Sequence, residues 1–339
     1  MNMRLASRLL SGVALIGGMT AAQEPVFRTD VQLVRILATV KDSSGGLVGS
    51  LDKTDFAVRD NGVAQDISVF ERQTDQPLSV AILIDNSGST AKDLKFETDS
   101  VSRFLRAVLR EGNSEDRIAL YSFNWQIVKQ NNFTRDAAAV DRSLKGLRGE
   151  AGTALYDAIL LASRDIEDRM GRKVLVIVTD GGDTISRSDF ARAVEAAQLA
   201  DAVIYPVLVV PITNEAGRNV GGENALTTLA QRTGGRVFEP SLGAALDQAF
   251  DQILKDLRTQ YLIGFYPRNV PLTTNRYHAL QVSVAQPELQ VKARSGYYGD
   301  ALKAAASTGN VSVNPDSESV RPPKPKPPAT PASKKSTSN

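Results

Sequence analysis

Five side chains carry most of the chemistry that can be read from this 339-residue chain. The run Ile84-Asp85-Asn86-Ser87-Gly88-Ser89-Thr90 sets a carboxylate and two hydroxyls at alternate positions, and Gly88 eases the turn between them. Three oxygen groups around one point suit a hard cation, and Mg²⁺ in particular takes a near-octahedral oxygen set while keeping some of its waters. The same run also has a metal-free reading, because Ser89 or Thr90 would cap the helix expected to follow. Two further segments belong with it. Gly149-Glu-Ala-Gly152-Thr153-Ala154 puts a threonine at the start of another expected helix, and Val176-Ile-Val-Thr179-Asp180 puts an aspartate directly after an apolar run.

The elements that must position these groups follow from periodicity. Ser79–Ile84 and Lys173–Thr179 are unbroken aliphatic, largely β-branched runs, the pattern of strands buried on both faces. Helices are expected near Ala91–Arg110 (Val101, Phe104, Leu105 and Val108 at helical spacing), Arg135–Leu147, Ala154–Arg169, Ser188–Leu199, Glu223–Thr233 and Leu242–Leu257. Further strands are expected at Ile118–Phe123, Gln126–Gln130, Val203–Val210 and Arg236–Phe238, the first two as a hairpin around Asn124-Trp125. This alternation predicts an α/β unit: a doubly wound, mostly parallel sheet covered by helices on both faces, with one antiparallel edge strand. In such a sheet ligands gather at the carboxyl ends of the strands, where Asp85 and Asp180 fall.

The flanks read differently. Val31–Lys41, Phe56–Asn61-Gly62 and Ile67–Glu71 before the α/β unit, and Gln260–Tyr266, Tyr277–Val284 and Leu289–Ala293 after it, are strand patterns with turn signals. Neither set has enough strands to stand alone. The expectation is one small β-sandwich, formed by 23–76 and 259–300, into which 77–258 is inserted.

Asp85-x-Ser87-x-Ser89, Thr153 and Asp180 together resemble the metal-ion-dependent adhesion site of von Willebrand factor type A domains over roughly residues 77–258. The resemblance implies that Ser87 and Ser89 ligate Mg²⁺ directly, with Mn²⁺ or Ca²⁺ as alternatives. It implies that Thr153 ligates directly when a partner is bound and through water otherwise, and that Asp85 and Asp180 act largely through waters. The ion would then accept an Asp or Glu carboxylate from a protein partner. The flanks, including Lys292-Ala-Arg-Ser-Gly-Tyr-Tyr298, are similar to an exported group of such proteins best known from Acidobacteria. Trp125 and Asp183 are candidates for the ligand-binding face, as is the Gly/Asn-rich stretch Pro211–Glu223.

Composition narrows the function classes. Arg4 and Arg8, the apolar run Leu9–Met19 and Thr20-Ala21-Ala22 read as a secretory signal peptide over 1–22, so a periplasmic or secreted product is expected. No other run approaches the roughly 20 residues of a membrane anchor. Cysteine is absent, which removes disulfides and thiolate metal sites. Residues 301–339 form a Pro/Lys-rich tail, expected to be disordered and suited to electrostatic contact with an anionic envelope. Setting aside the two leader arginines and the tail's net four positive charges takes the formal +2 to −4 for residues 23–300. A mildly acidic body argues against a nucleic-acid partner.

The lone His278 makes neither a triad nor a zinc site and is read as structural. A non-enzymatic binding protein is therefore expected. The alternatives are an Mg²⁺ phosphohydrolase and a structural envelope component stabilised by metal. The first usually wants a carboxylate two residues after the nucleophilic aspartate, where this chain has Ser87.

Overall fold

The computed structural model describes residues 33–72, 75–209, 219–271, 273 and 276–299. The signal-peptide and tail segments lie outside the described residues, as do 23–32 and 210–218. The elements run β1 (Val34–Lys41), β2 (Phe56–Asp60), β3 (Val63–Gln65), β4 (Ile67–Glu71), β5 (Leu78–Asp85), α1 (Leu94–Glu111), β6 (Arg117–Phe123), β7 (Ile127–Thr134), α2 (Ala137–Gly146) and α3 (Leu155–Glu167). They continue with β8 (Arg172–Thr179), α4 (Phe190–Leu199), β9 (Ala202–Leu208), α5 (Val220–Thr233), α6 (Ala244–Arg258), β10 (Tyr261–Phe265), β11 (Tyr277–Val284), β12 (Gln290–Lys292) and β13 (Gly296–Tyr298).

The central sheet has the order β7-β6-β5-β8-β9, parallel except for the β6–β7 hairpin. β5 and β8 are buried at every position, which is why their sequences lack any polar alternation. One face is closed by α1, α2 and α6 and the other by α3, α4 and α5. On α1 the predicted stripe Val101, Phe104, Leu105 and Val108 is the buried face, and Phe104 stacks on Phe250 of α6 at 5.0 Å. Side chains of this size contribute roughly 1.5–3 kcal/mol each when fully buried.

The two flanks interleave. β1 pairs antiparallel with β10 and with β12, β10 also pairs with β4, and the sheet reads β12-β1-β10-β4. The facing sheet reads β13-β11-β2-β3. Strands from before and after the α/β unit thus complete both sheets, around a core that includes Ile36, Val58, Ile67, Tyr261, Ile263 and Phe265. The β2–β3 hairpin turns on Asn61 (φ 47°) and Gly62 (φ 83°), the paired positive φ of a type I′ turn. His278 sits in this sandwich, with Nδ1 3.0 Å from Asp60 Oδ1, while the Tyr297 hydroxyl donates to Asp60 Oδ2 at 2.6 Å. Each polar group of this buried cluster is partnered, as a structural role requires.

Some expected elements differ. Arg236–Phe238 is a single bridge, Val207 to Phe238, because the Gly234-Gly235 exit from α5 leaves too little chain for a ladder. α5 begins at Val220, so the stretch expected as loop up to Glu223 is partly its first turn, capped by the Asn219 side chain. No helix among the described residues is long and apolar enough to cross a membrane.

Candidate functional site

β5 leads into α1 on one face of the sheet and β8 toward α4 on the other. The connections therefore diverge between the carboxyl ends of β5 and β8 and leave a crevice there, the place where doubly wound sheets bind ligands. Asp85 ends β5 and Asp180 follows β8.

Asp85 is fully buried. Its Oδ1 accepts from the Ser87 N–H at 2.8 Å and its Oδ2 from the Thr179 hydroxyl at 2.7 Å. Burial pushes its carboxyl up to about 6, against the pull of the Thr179 and Ser87 bonds and with a small addition from the Asp180 charge. Ser87 Oγ and Ser89 Oγ lie 3.1 Å apart. That spacing serves a hydroxyl–hydroxyl hydrogen bond. It also matches adjacent corners of an Mg²⁺ octahedron, whose edge is about 3 Å for bonds of 2.0–2.1 Å. Among the described residues no three His, Cys, Asp or Glu side chains form a metal-holding group. A set of two serines, a threonine and water-mediated carboxylates needs no such group.

The capping alternative for the serines does not describe the structure. α1 starts at Leu94 behind Asp93, and the Thr90 hydroxyl donates to the carbonyls of Asp85 (2.9 Å) and Ser87 (3.1 Å). Thr90 therefore ties the loop into a closed turn, and neither it nor Ser89 caps the helix.

The loop carrying Thr153 is laid against this turn. Glu150 N–H donates to Asn86 O at 3.0 Å, Ser87 and Glu150 form a parallel bridge, and the Asn86 side chain donates to Arg148 O at 2.6 Å. Gly152 has φ +86° and touches Trp125, and an added Cβ would lie 2.8 Å from Ile185 Cδ1, so the bend there depends on glycine. Thr153 follows, buried, with its N–H bonded to the Thr184 hydroxyl at 2.9 Å. The third loop is thereby stitched to the second. Asp180 is half-buried beyond β8, and the Gly181-Gly182 backbone after it packs against Gly222 at the start of α5, where a side chain would not fit. The Asp85, Ser87 and Ser89 loop, the Thr153 loop and the Asp180 loop are thus bound into one surface. The amino ends of α1 and α3 open beside it, a favourable setting for negative charge.

The two ligand-face candidates part company. Trp125 is 55% exposed in the β6–β7 turn, its indole N–H held by Glu150 Oε2 at 2.8 Å. Asp183 is turned inward: it accepts from the Tyr156 N–H and from the Ser186 N–H and hydroxyl, and so holds the start of α3.

Two features escape a reading of the sequence. Ile185, 46% exposed, packs over Gly152 from the side opposite Trp125, so the rim next to Thr153 is apolar. Glu97, in the first turn of α1, is 1% exposed and its Oε2 has no hydrogen-bond partner. Burial first, then the charges of Asp85, Asp180 and Asp93, push its carboxyl up to about 8. A glutamate in a first helical turn is ordinary, and only the packing shows that this one points inward.

Residues 80–182 match the family model of the von Willebrand factor type A domain, a span that contains all five candidate ligands. The α/β unit has that fold, with its mostly parallel central sheet flanked by antiparallel sheets. No curated protein matches the chain. Among solved structures the chain is similar to an aerotolerance-related membrane protein from Bacteroides fragilis NCTC 9343 with multiple mutations to serines. The identity is 19%, the TM-score 0.42, and the match covers 53% of this chain and 98% of that one. It is also similar to the vWF domain of the type V pili tip protein Mfa5 from Porphyromonas gingivalis, at 16% identity and TM-score 0.45, covering 53% and 94%. A third is the PilB minor pilin from Streptococcus sanguinis, at 12% and 0.44, covering 56% and 63%.

Proposed function

We propose that this chain is an exported binding protein that recognises an acidic group of a protein partner through Mg²⁺ held by Asp85, Ser87, Ser89, Thr153 and Asp180. The observation that carries the reading is the Ser87–Ser89 hydroxyl pair, 3.1 Å apart above the buried Asp85, on a turn hydrogen-bonded to the Thr153 loop. Ser87, Ser89 and Thr153 would offer neutral oxygens to the ion. Asp85 and Asp180 would balance its charge through water. An ion so held stays electrophilic, and that is the chemistry it would supply to an incoming carboxylate. The exposed Trp125 and Ile185 give the partner an apolar contact beside the charge.

Export rests on the leader pattern of residues 1–22, and the flanking strands resemble those of an exported group of such proteins. Binding is favoured over phosphoryl transfer by Asp85 itself. Both its oxygens are engaged by Ser87 and Thr179, which leaves no free lone-pair direction for attack on phosphorus.

Titration calorimetry with MgCl₂ on the purified chain tests the ion site. One Mg²⁺ per chain, with loss of uptake in Ser87→Ala and Asp85→Ala that still unfold cooperatively, supports the reading. An envelope-extract pull-down then tests recognition. A partner set unchanged by chelator, or phosphatase turnover abolished by Asp85→Ala, would overturn it.

A further inference from the structure

At the amino ends of β8 and β9, the end of the sheet away from the cation loops, the α/β unit meets the sandwich. A cleft of about 480 Å³ lies in that junction. Its walls carry Arg172 and Lys173 from the start of β8, Arg35 from β1, and Arg294 from between β12 and β13. The acid lining it is Asp201, already shared by two guanidiniums: Arg294 Nη1 at 2.6 Å and Arg35 Nη2 at 3.6 Å.

The cations are not surface groups. Arg172, Lys173 and Arg294 are 7%, 6% and 8% exposed. Buried charges are ordinarily paired, because an uncompensated ion loses several kcal/mol of hydration. Here the pairing is incomplete. Arg172 gives Nε to Gln76 O and Nη1 to Leu257 O, and Lys173 gives Nζ to Glu167 O, all carbonyl oxygens. Neither has a carboxylate oxygen within 4.0 Å among the described residues. Asp116, Asp75 and Glu71 act on Arg172, and Glu167 and Asp168 on Lys173, only at longer range. Arg294 Nε is buried without any partner. Four cations against one shared carboxylate leave the cleft strongly positive.

The geometry points to a binding site for a compact phosphate-class dianion in this cleft, held by Arg35, Arg172, Lys173 and Arg294. Guanidinium forks and one ammonium converging on a small volume suit a group with several equivalent oxygens and more than one charge. A single carboxylate would leave the cleft positive. Because Arg35 and Arg294 come from the sandwich and Arg172 and Lys173 from the central sheet, an occupant would bridge the two parts of the fold.

The test uses the full chain in chelator, so that the cation loops play no part, with inorganic phosphate as probe. Calorimetry and thermal unfolding are compared with acetate, and with chloride at equal ionic strength. The expected result is saturable phosphate binding with a rise in Tm, weakened at least tenfold in Arg35→Gln and in Lys173→Gln and unchanged in Ser87→Ala. Arg35 is a third exposed, so its variant reports even where Lys173→Gln fails to fold. Glycerol phosphate as a second arm identifies the source: tighter binding than phosphate marks the end of a larger molecule, weaker binding a free ion, and either supports the site. No saturable phosphate response, an equal response to acetate, or wild-type affinity in Arg35→Gln would overturn it.

Discussion

Glu97 gives the sharpest test of how the α1 end of the cation surface is built. Its carboxyl titrates near 4.5 in water and is pushed up to about 8 in the fold, first by burial and then by Asp85, Asp180 and Asp93. The sign follows from linkage. Below about 4.5 the group is protonated in both states and costs nothing. Between about 4.5 and 8 the unfolded chain releases a proton that the folded chain keeps, so stability falls as pH rises. The slope from this one residue is about 1.4 kcal/mol per pH unit, and the loss is on the order of 4 kcal/mol once pH passes 8. Glu97→Gln keeps the shape and removes the titration. Urea unfolding in chelator from pH 5 to pH 9 should show wild type losing stability relative to the variant across that window. The variant should be the more stable by several kcal/mol at pH 8.5. Parallel curves for the two proteins would refute the reasoning, because they would mean that Glu97 is hydrated or paired in the folded state.

Ser87→Ala removes one hydroxyl of the 3.1 Å pair while keeping the backbone bond to Asp85; Mg²⁺ affinity by calorimetry should fall at least tenfold, with Tm in chelator shifted little. Gly152→Val puts a β-branched side chain at φ +86° between Trp125 and Ile185; the expected cost is about 1–3 kcal/mol by urea unfolding, with a change in Trp125 fluorescence. Ile263→Ala opens the centre of the sandwich, where Ile263 is fully buried; a loss of about 2–5 kcal/mol is expected from chemical denaturation. Truncation before β10 strips β1 and β4 of their shared neighbour; limited proteolysis should then cut within 33–72, whereas the full chain resists there.

The elements legible in the sequence are those whose pattern answers to a single physical requirement. β5 and β8 announce themselves because burial on both faces permits nothing but apolar residues over six or seven positions. The Asn61-Gly62 turn is legible because few residue pairs tolerate two successive positive φ values. Pairing of the flanks can be inferred only as a necessity, since each half has too few strands; the actual registers, such as Ile36 opposite Ile263, depend on contacts more than 200 residues apart. The ligand-bearing residues stand out by type and order. Asp183 and Glu97 do not, because an aspartate in a loop and a glutamate in a first helical turn have the same local signature facing inward or outward.

The distribution of polar groups along β8 shows what the insertion achieves. The strand is buried throughout, yet it opens with Arg172 and Lys173 and hands over to Asp180 at its far end. Such a strand tolerates charge only where it meets a loop or a neighbouring domain, so its two ends are the places where chemistry can enter without breaking the core. At a rise of about 3.3 Å per residue, the seven steps from Lys173 to Asp180 separate those ends by roughly 23 Å. The sandwich closes over the first end and, being completed by chain from both sides of the insertion, fixes that end rigidly. The cation loops lie at the other, free of the sandwich, where a partner can approach Trp125 and Ile185. The sheet therefore separates a closed, positively charged junction from an open, acidic, oxygen-rich surface, and a side chain substituted at one end has no contact through which to disturb the other.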